Sequence, residues 1–184
     1  EILNKPIGMQ DQYIASYGGL NWINFKSKKK IVLKKIKLPP KKIEQFNKNL
    51  FLVYTNKLRK SETVLKKIKK KANTRALKKL SDLALDFKYE LLNGDLDNLG
   101  KIMHENWIYK KELSQNTSSR YLDDTYNLGL KSGSLGGKIL GAGDGGFMLF
   151  YVQEMFKKNF FKNLKNFRLI DFKFSNNGST TYNI

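Results

Sequence analysis

Six consecutive residues, Gly141, Ala142, Gly143, Asp144, Gly145 and Gly146, interrupt the apolar stretch KILGAGDGGFMLFYV. Glycines at this density permit positive φ and let backbone amides approach an anion closely, so the chemistry they suggest is phosphate binding. Gly141, Gly143 and Gly146 satisfy the spacing G-x-G-x-x-G. Dinucleotide binding, however, needs a helix after such a loop, and FMLFYV reads as a strand. A P-loop fails as well: Lys138 is followed by Ile139, and Ser132 stands where the first glycine should be. A ligand-free hairpin is the plain alternative. It needs only one or two glycines, and this loop spends more and adds a carboxylate.

Other residues could act on a substrate. Asp11, with Gln12 and Tyr13, reads by itself as the capped start of a helix. Lys110, Lys111 and Arg120 flank a turn after a long helix, and Lys138 precedes the glycine loop. They suit a fixed phosphate, or they are exposed helix-end cations. His104 sits beside inward positions of a helix and reads as a packing residue. With no cysteine and one histidine, thiolate catalysis, disulfides and multi-histidine metal sites are excluded; no metal ligand set is predicted.

The net charge of +19 invites an anionic partner. Only Arg59, Arg75, Arg120 and Arg168 among 35 basic residues are arginine, and base recognition favours arginine. Runs such as KSKKKIVLKKIK read as solvated faces. A basic nucleic-acid-binding domain is therefore the alternative and not the main expectation.

These residues must be positioned by a core, and a 40% hydrophobic, 12% aromatic composition can build one. DQYIASYGGLNWINF reads as a short helix, a glycine break and a strand. KIVLKKIKLP is a strand stopped by Pro39 and Pro40, KKIEQFNKN a short helix, and LFLVYTN a buried strand. KSETVLKKIKKKAN follows as a helix, with Ser61 as cap and Val64, Leu65 and Ile68 on one face. The next helix places Leu77, Leu80, Leu83, Ala84, Phe87 and Leu91 at helical spacing and stops at Gly94. A third, capped by Asp95, turns Leu99, Ile102, Met103 and Trp107 inward, and a fourth ends at Gly133. Strands GGKIL and FMLFYV flank the glycine loop. EMFKKNFFKNLKN is helical, and FRLIDFKFS and TTYNI close as a hairpin about Asn177 and Gly178. The fold class is α+β: a largely antiparallel sheet with several consecutive helices packed on it.

With its flanks, GGKILGAGDGGFMLFYV resembles the third conserved motif of the GHMP kinases, the galactokinase, homoserine kinase, mevalonate kinase and phosphomevalonate kinase family. KPIGMQDQYIASYGGLNWINF resembles the segment that carries the family's catalytic aspartate. LFLVYTNKLRKSETVL resembles the junction that opens its C-terminal domain. GDLDNLGKIMHENWIYKKELS is similar to the bacterial branch that phosphorylates D-glycero-D-manno-heptose 7-phosphate at the anomeric position.

The resemblance implies a ferredoxin-like C-terminal domain over residues 41–184, with residues 1–40 a remnant of the N-terminal kinase domain. It implies an ATP-dependent kinase acting on the anomeric hydroxyl of a sugar or sugar phosphate, with Mg2+ held largely by the nucleotide. Asp11 would take or orient the hydroxyl proton. Gln12 and Tyr13 would contact the sugar, and Lys110, Lys111 or Arg120 its phosphate. The 141–146 loop would face phosphate oxygens or brace the nucleotide loop. Asp11 and the bend near residue 143 would then meet around the transferred phosphoryl group.

Two departures stand out. Asp144 occupies a position that is usually glycine, where a carboxylate repels phosphate unless a cation lies beside it. The family's Pro-x-x-x-Gly-Leu nucleotide loop and its N-terminal basic motif are absent. The chain opens without methionine or a signal-peptide pattern, and no apolar run reaches membrane-span length. The expectation is the C-terminal half of a cytoplasmic kinase, inactive alone; a kinase-fold interaction protein without activity is a further alternative.

Overall fold

The computed structural model describes residues 8–27, 30–57, 73–113 and 117–181. The helix expected around Ser61, Val64, Leu65 and Ile68 lies outside the described residues, as do residues 182–184. The chain divides into two units. One spans Lys48–Asp171; the other joins Ile7–Asn47 with Phe172–Ile184.

The larger unit begins with a central strand, Leu50–Tyr54, numbered β3 because two strands precede it in the smaller unit. Helices α3 (Thr74–Asn93), α4 (Leu96–Glu112) and α5 (Arg120–Lys131) follow. The chain then forms β4 (Ser134–Ile139), β5 (Phe147–Val152), a short 3-10 turn, α6 (Lys157–Asn163) and β6 (Arg168–Ile170). The sheet order is β4-β5-β3-β6, with every neighbour antiparallel. The expected α+β class is therefore observed. Strand, helices, two strands, helix and strand in this order make a split β-α-β arrangement.

Local signals explain the helix ends. Asn73 accepts from the amides of Arg75 and Ala76, and Asp95 from that of Asp97. Each cap satisfies amides that the first helical turn leaves without partners. The core joins Val53, Trp107, Leu122, Tyr126, Ile139, Met148, Phe150 and Phe160, all buried. Tyr126 and Phe150 stack with centroids 5.9 Å apart, and Phe160 meets Phe150 edge-on at 5.5 Å. Each such side chain stabilises by about 1.5–3 kcal/mol relative to exposure. Helix α4 crosses β4 closely: a Cβ on Gly136 would lie 2.1 Å from the Gly100 carbonyl oxygen.

In helix α3 the structure selects among the residues at helical spacing. Leu77 is 44% exposed and Ala84 is exposed, while Ala76, Leu83 and Leu91 are buried. Two overlapping stripes fit helical spacing, and packing against α4 selects the one that contains Ala76.

The smaller unit holds α1 (Gln10–Tyr17), the antiparallel pair β1 (Asn21–Ser27) and β2 (Lys30–Lys35), and α2 (Pro40–Lys48). Pro40 opens α2, where its fixed φ and missing amide cost nothing. Among the described residues the terminal hairpin expected about Asn177 and Gly178 is not seen, since no residue of 171–181 is in a strand. The Ser175 hydroxyl donates to the Asn177 carbonyl at 3.1 Å. The backbone that a hairpin would pair bonds to the end of α1 instead: the Gly19 amide donates to the Ser175 carbonyl at 2.7 Å.

Candidate active-site elements

The 141–146 loop joins β4 to β5, whose apolar residues pair across the sheet; Ile139 lies opposite Met148. Beyond that pair the Leu140 amide donates to the Phe147 carbonyl at 2.8 Å, closing the mouth of the loop. Inside it, Gly141, Gly143, Asp144, Gly145 and Gly146 all have positive φ. Five such residues make a bend that a β-branched or bulky sequence would resist.

The loop leans on two neighbouring segments. The Asp144 amide donates to the Thr117 carbonyl and the Gly146 amide to the Lys57 carbonyl, both at 2.9 Å. In return the Gly146 carbonyl accepts from the Thr55 amide at 2.9 Å and the Thr55 hydroxyl at 2.8 Å. At Gly143 a Cβ would come within 2.7 Å of the Thr117 carbonyl oxygen, so the close approach requires glycine. Two loop amides are thus spent on protein carbonyls, the geometry of a braced bend.

Asp144 has the cation that its position demands. The Lys57 ammonium pairs with its carboxylate and lies 3.4 Å from the Ser119 hydroxyl, beside the start of α5. Sequence reasoning had not singled out Lys57, although the need for a cation next to Asp144 was the signal for it. Lys110 reaches the same loop from α4: its ammonium donates to the carbonyls of Ile139 at 3.0 Å and Gly141 at 2.6 Å.

The remaining basic positions differ. Lys111 pairs with Asp123 at 3.1 Å and lies over the Trp107 ring. Arg120 is exposed in the first turn of α5. Lys138 is half-buried on β4, and desolvation holds its ammonium below the usual lysine pKa. His104 Nδ1 lies 2.7 Å from the Tyr126 hydroxyl, and Trp107 is buried, so both serve packing.

Asp11 belongs to the other unit, in the first turn of α1, where it and Gln12 are exposed. Tyr13 is half-buried, stacked on Tyr17 with centroids 6.2 Å apart and set edge-on to Phe25 at 6.1 Å. Asp11 caps nothing; Met9 holds the cap position and makes no side-chain bond. An exposed carboxylate at a helix start can accept a proton or a hydroxyl hydrogen bond. Among the described residues no three His, Asp or Glu side chains gather as a metal site, and Asp144 is already engaged by Lys57. Among them, too, no helix is long and apolar enough to cross a membrane.

The chain is similar to known proteins. Residues 87–162 match the family described as GHMP kinases C terminal. The chain is 28% identical over 183 residues to a D-glycero-alpha-D-manno-heptose 7-phosphate kinase of Campylobacter jejuni, covering 96% of this chain and 54% of that protein. The crystal structure of a putative sugar kinase from Campylobacter jejuni is similar at TM-score 0.70 and 29% identity, over 93% of this chain and 50% of the other. A D-glycero-D-manno-heptose 1-phosphate kinase structure from Bacteriodes thetaiotaomicron matches at TM-score 0.69 and 23% identity, over 96% of this chain and 50% of that one, and shows the shared fold. The chain spans about half the length of these relatives.

Proposed function

We propose that this chain, which carries a GHMP kinase C-terminal domain, is part of an ATP-dependent kinase that phosphorylates the anomeric hydroxyl of a sugar phosphate of the heptose 7-phosphate type. The observation that carries the reading is the 141–146 loop: five positive-φ residues held on Thr117 and Lys57, with a lysine–aspartate pair inside the bend. The likeness to a heptose 7-phosphate kinase supports the substrate class.

In the proposed reaction the anomeric oxygen attacks the γ-phosphorus of ATP, and the bond to the ADP oxygen breaks. The hydroxyl proton passes to the Asp11 carboxylate and then to solvent. Phosphoryl transfer rests on positioning and charge neutralisation more than on covalent chemistry. In the smaller unit Asp11 orients the acceptor and Gln12 and Tyr13 line its side; in the larger unit Lys111 and Arg120 are cations suited to a phosphate. The loop braces the nucleotide side; its Asp144, neutralised by Lys57, does not repel the phosphates.

The test uses the full-length protein with heptose 7-phosphate, galactose and fucose as acceptors. ADP release and the phosphorus NMR signal of an anomeric phosphate are the readouts. Turnover is expected with the heptose phosphate, and Asp11→Asn should lower kcat by about 10²–10⁴-fold with an unchanged melting temperature. Full turnover in Asp11→Asn, or no transfer to any of the three acceptors, defeats the proposal. The chain by itself is expected to show no micromolar ATP binding in calorimetry.

A further inference from the structure

Helix α1 is eight residues long, and none of them is buried. A helix this short is marginal in water, and this one has neither a burial anchor nor a side-chain cap at its start. Its fixed end is the carboxy-terminal one. There the Ala15 carbonyl accepts from the Ser179 amide at 2.8 Å and from the Ser179 hydroxyl at 3.1 Å. The Gly19 amide donates to Ser175, and Asn21 Nδ2 donates to the Gly18 carbonyl at 2.7 Å.

Gly178 lies flat on the helix end. A Cβ there would stand 2.0 Å from the Ser16 carbonyl oxygen, and one on Gly18 would stand 2.3 Å from the Asn177 carbonyl carbon. At its other end the same segment is held by α2. Phe174 stacks on the buried Phe46 with centroids 5.8 Å apart, and the Phe172 carbonyl accepts from Asn47 Nδ2 at 3.4 Å.

We infer that residues 172–179 are a positioning strap that fixes the orientation of α1, and through it the direction of the Asp11 carboxylate. The inference rests on the role proposed above for Asp11. The strap is anchored by burial at Phe46 and delivers its hold to α1 through backbone bonds. Eight residues make about two turns, so a hold on the last turn also supports the turn that carries Asp11.

Gly178→Ala in the full-length protein tests this, with hydrogen exchange of residues 12–17 and steady-state kinetics as the two readouts. The expected result is exchange about tenfold faster or more in α1, with no change at Val53 or Phe150. The kcat should fall by roughly tenfold to a hundredfold, as expected for a misplaced catalytic group, with KM for ATP unchanged. Should Gly178→Ala fail to fold, Ser179→Ala, which removes one hydroxyl, should move both readouts in the same direction by less. Unchanged exchange in α1, or faster exchange with unchanged kcat, overturns the strap. Full activity in Asp11→Asn would instead overturn the reading of Asp11 and the strap's function with it. An inactive Asp11→Asn beside a fully active Gly178→Ala would sink the strap alone.

Discussion

Around the 141–146 loop, two of the residues that hold the bend are fully buried, whereas no residue of α1 is buried. Thr55, which holds Gly146, is fully buried and follows β3 directly, and Thr117, which holds Asp144, is fully buried as well. In the other unit, Asp11 rides on a helix held by backbone hydrogen bonds, the side chains of Asn21 and Ser179 and two half-exposed aromatic pairs. A net hydrogen bond contributes only about 0.5–1.5 kcal/mol, while burial accumulates over many side chains. The loop should therefore survive loss of one polar contact, and the orientation of α1 should not.

Truncating the core tests the first half of that contrast most severely. Phe150→Ala should destabilise the larger unit by about 3–5 kcal/mol in chemical denaturation. A loss below about 1 kcal/mol would mean that burial is not what holds the loop's surroundings. Gly136→Ala should cost less, about 1–3 kcal/mol, by pushing α4 off β4. Its signature would be faster amide exchange in both elements, with α1 unaffected.

Alkaline pH separates the units more gently. Burial raises the phenol pKa of Tyr126 and Tyr151 above the unfolded value near 10.0, and Asp97 beside Tyr151 adds to its shift. Their contribution is fully present below the unfolded value and is lost as pH rises toward the folded ones. Melting temperature should fall above about pH 10, and Tyr151→Phe should flatten that fall. Lys57→Met should have the smallest effect on stability. The pair it breaks is more than a third exposed on each side, and such pairs contribute less than about 1 kcal/mol. A larger loss would show the loop to depend on its ion pair rather than on the core behind it.

Much of this was legible beforehand. The Asp95 cap, the strands on either side of the glycine loop and the helix carrying Asp11 all follow from local patterns. Their causes act within a few residues, through caps, helical periodicity and glycine freedom. The terminal hairpin was misread for a related reason. Asn177 and Gly178 carry a true turn signal, but the backbone beside them had a better partner in α1, far away in sequence.

By itself, the amino-acid sequence determined the α+β order, the position of the loop, and the motifs that resemble a sugar kinase, because these depend on spacing along the chain. The folded arrangement alone decided that Ala76 and not Leu77 faces inward, that Lys57 answers Asp144 across 87 positions, and that Ser175 and Ser179 bond to the end of α1. Those outcomes depend on which distant surfaces meet, and burial and hydrogen-bond geometry choose among sequence-equivalent options only once the chain is packed.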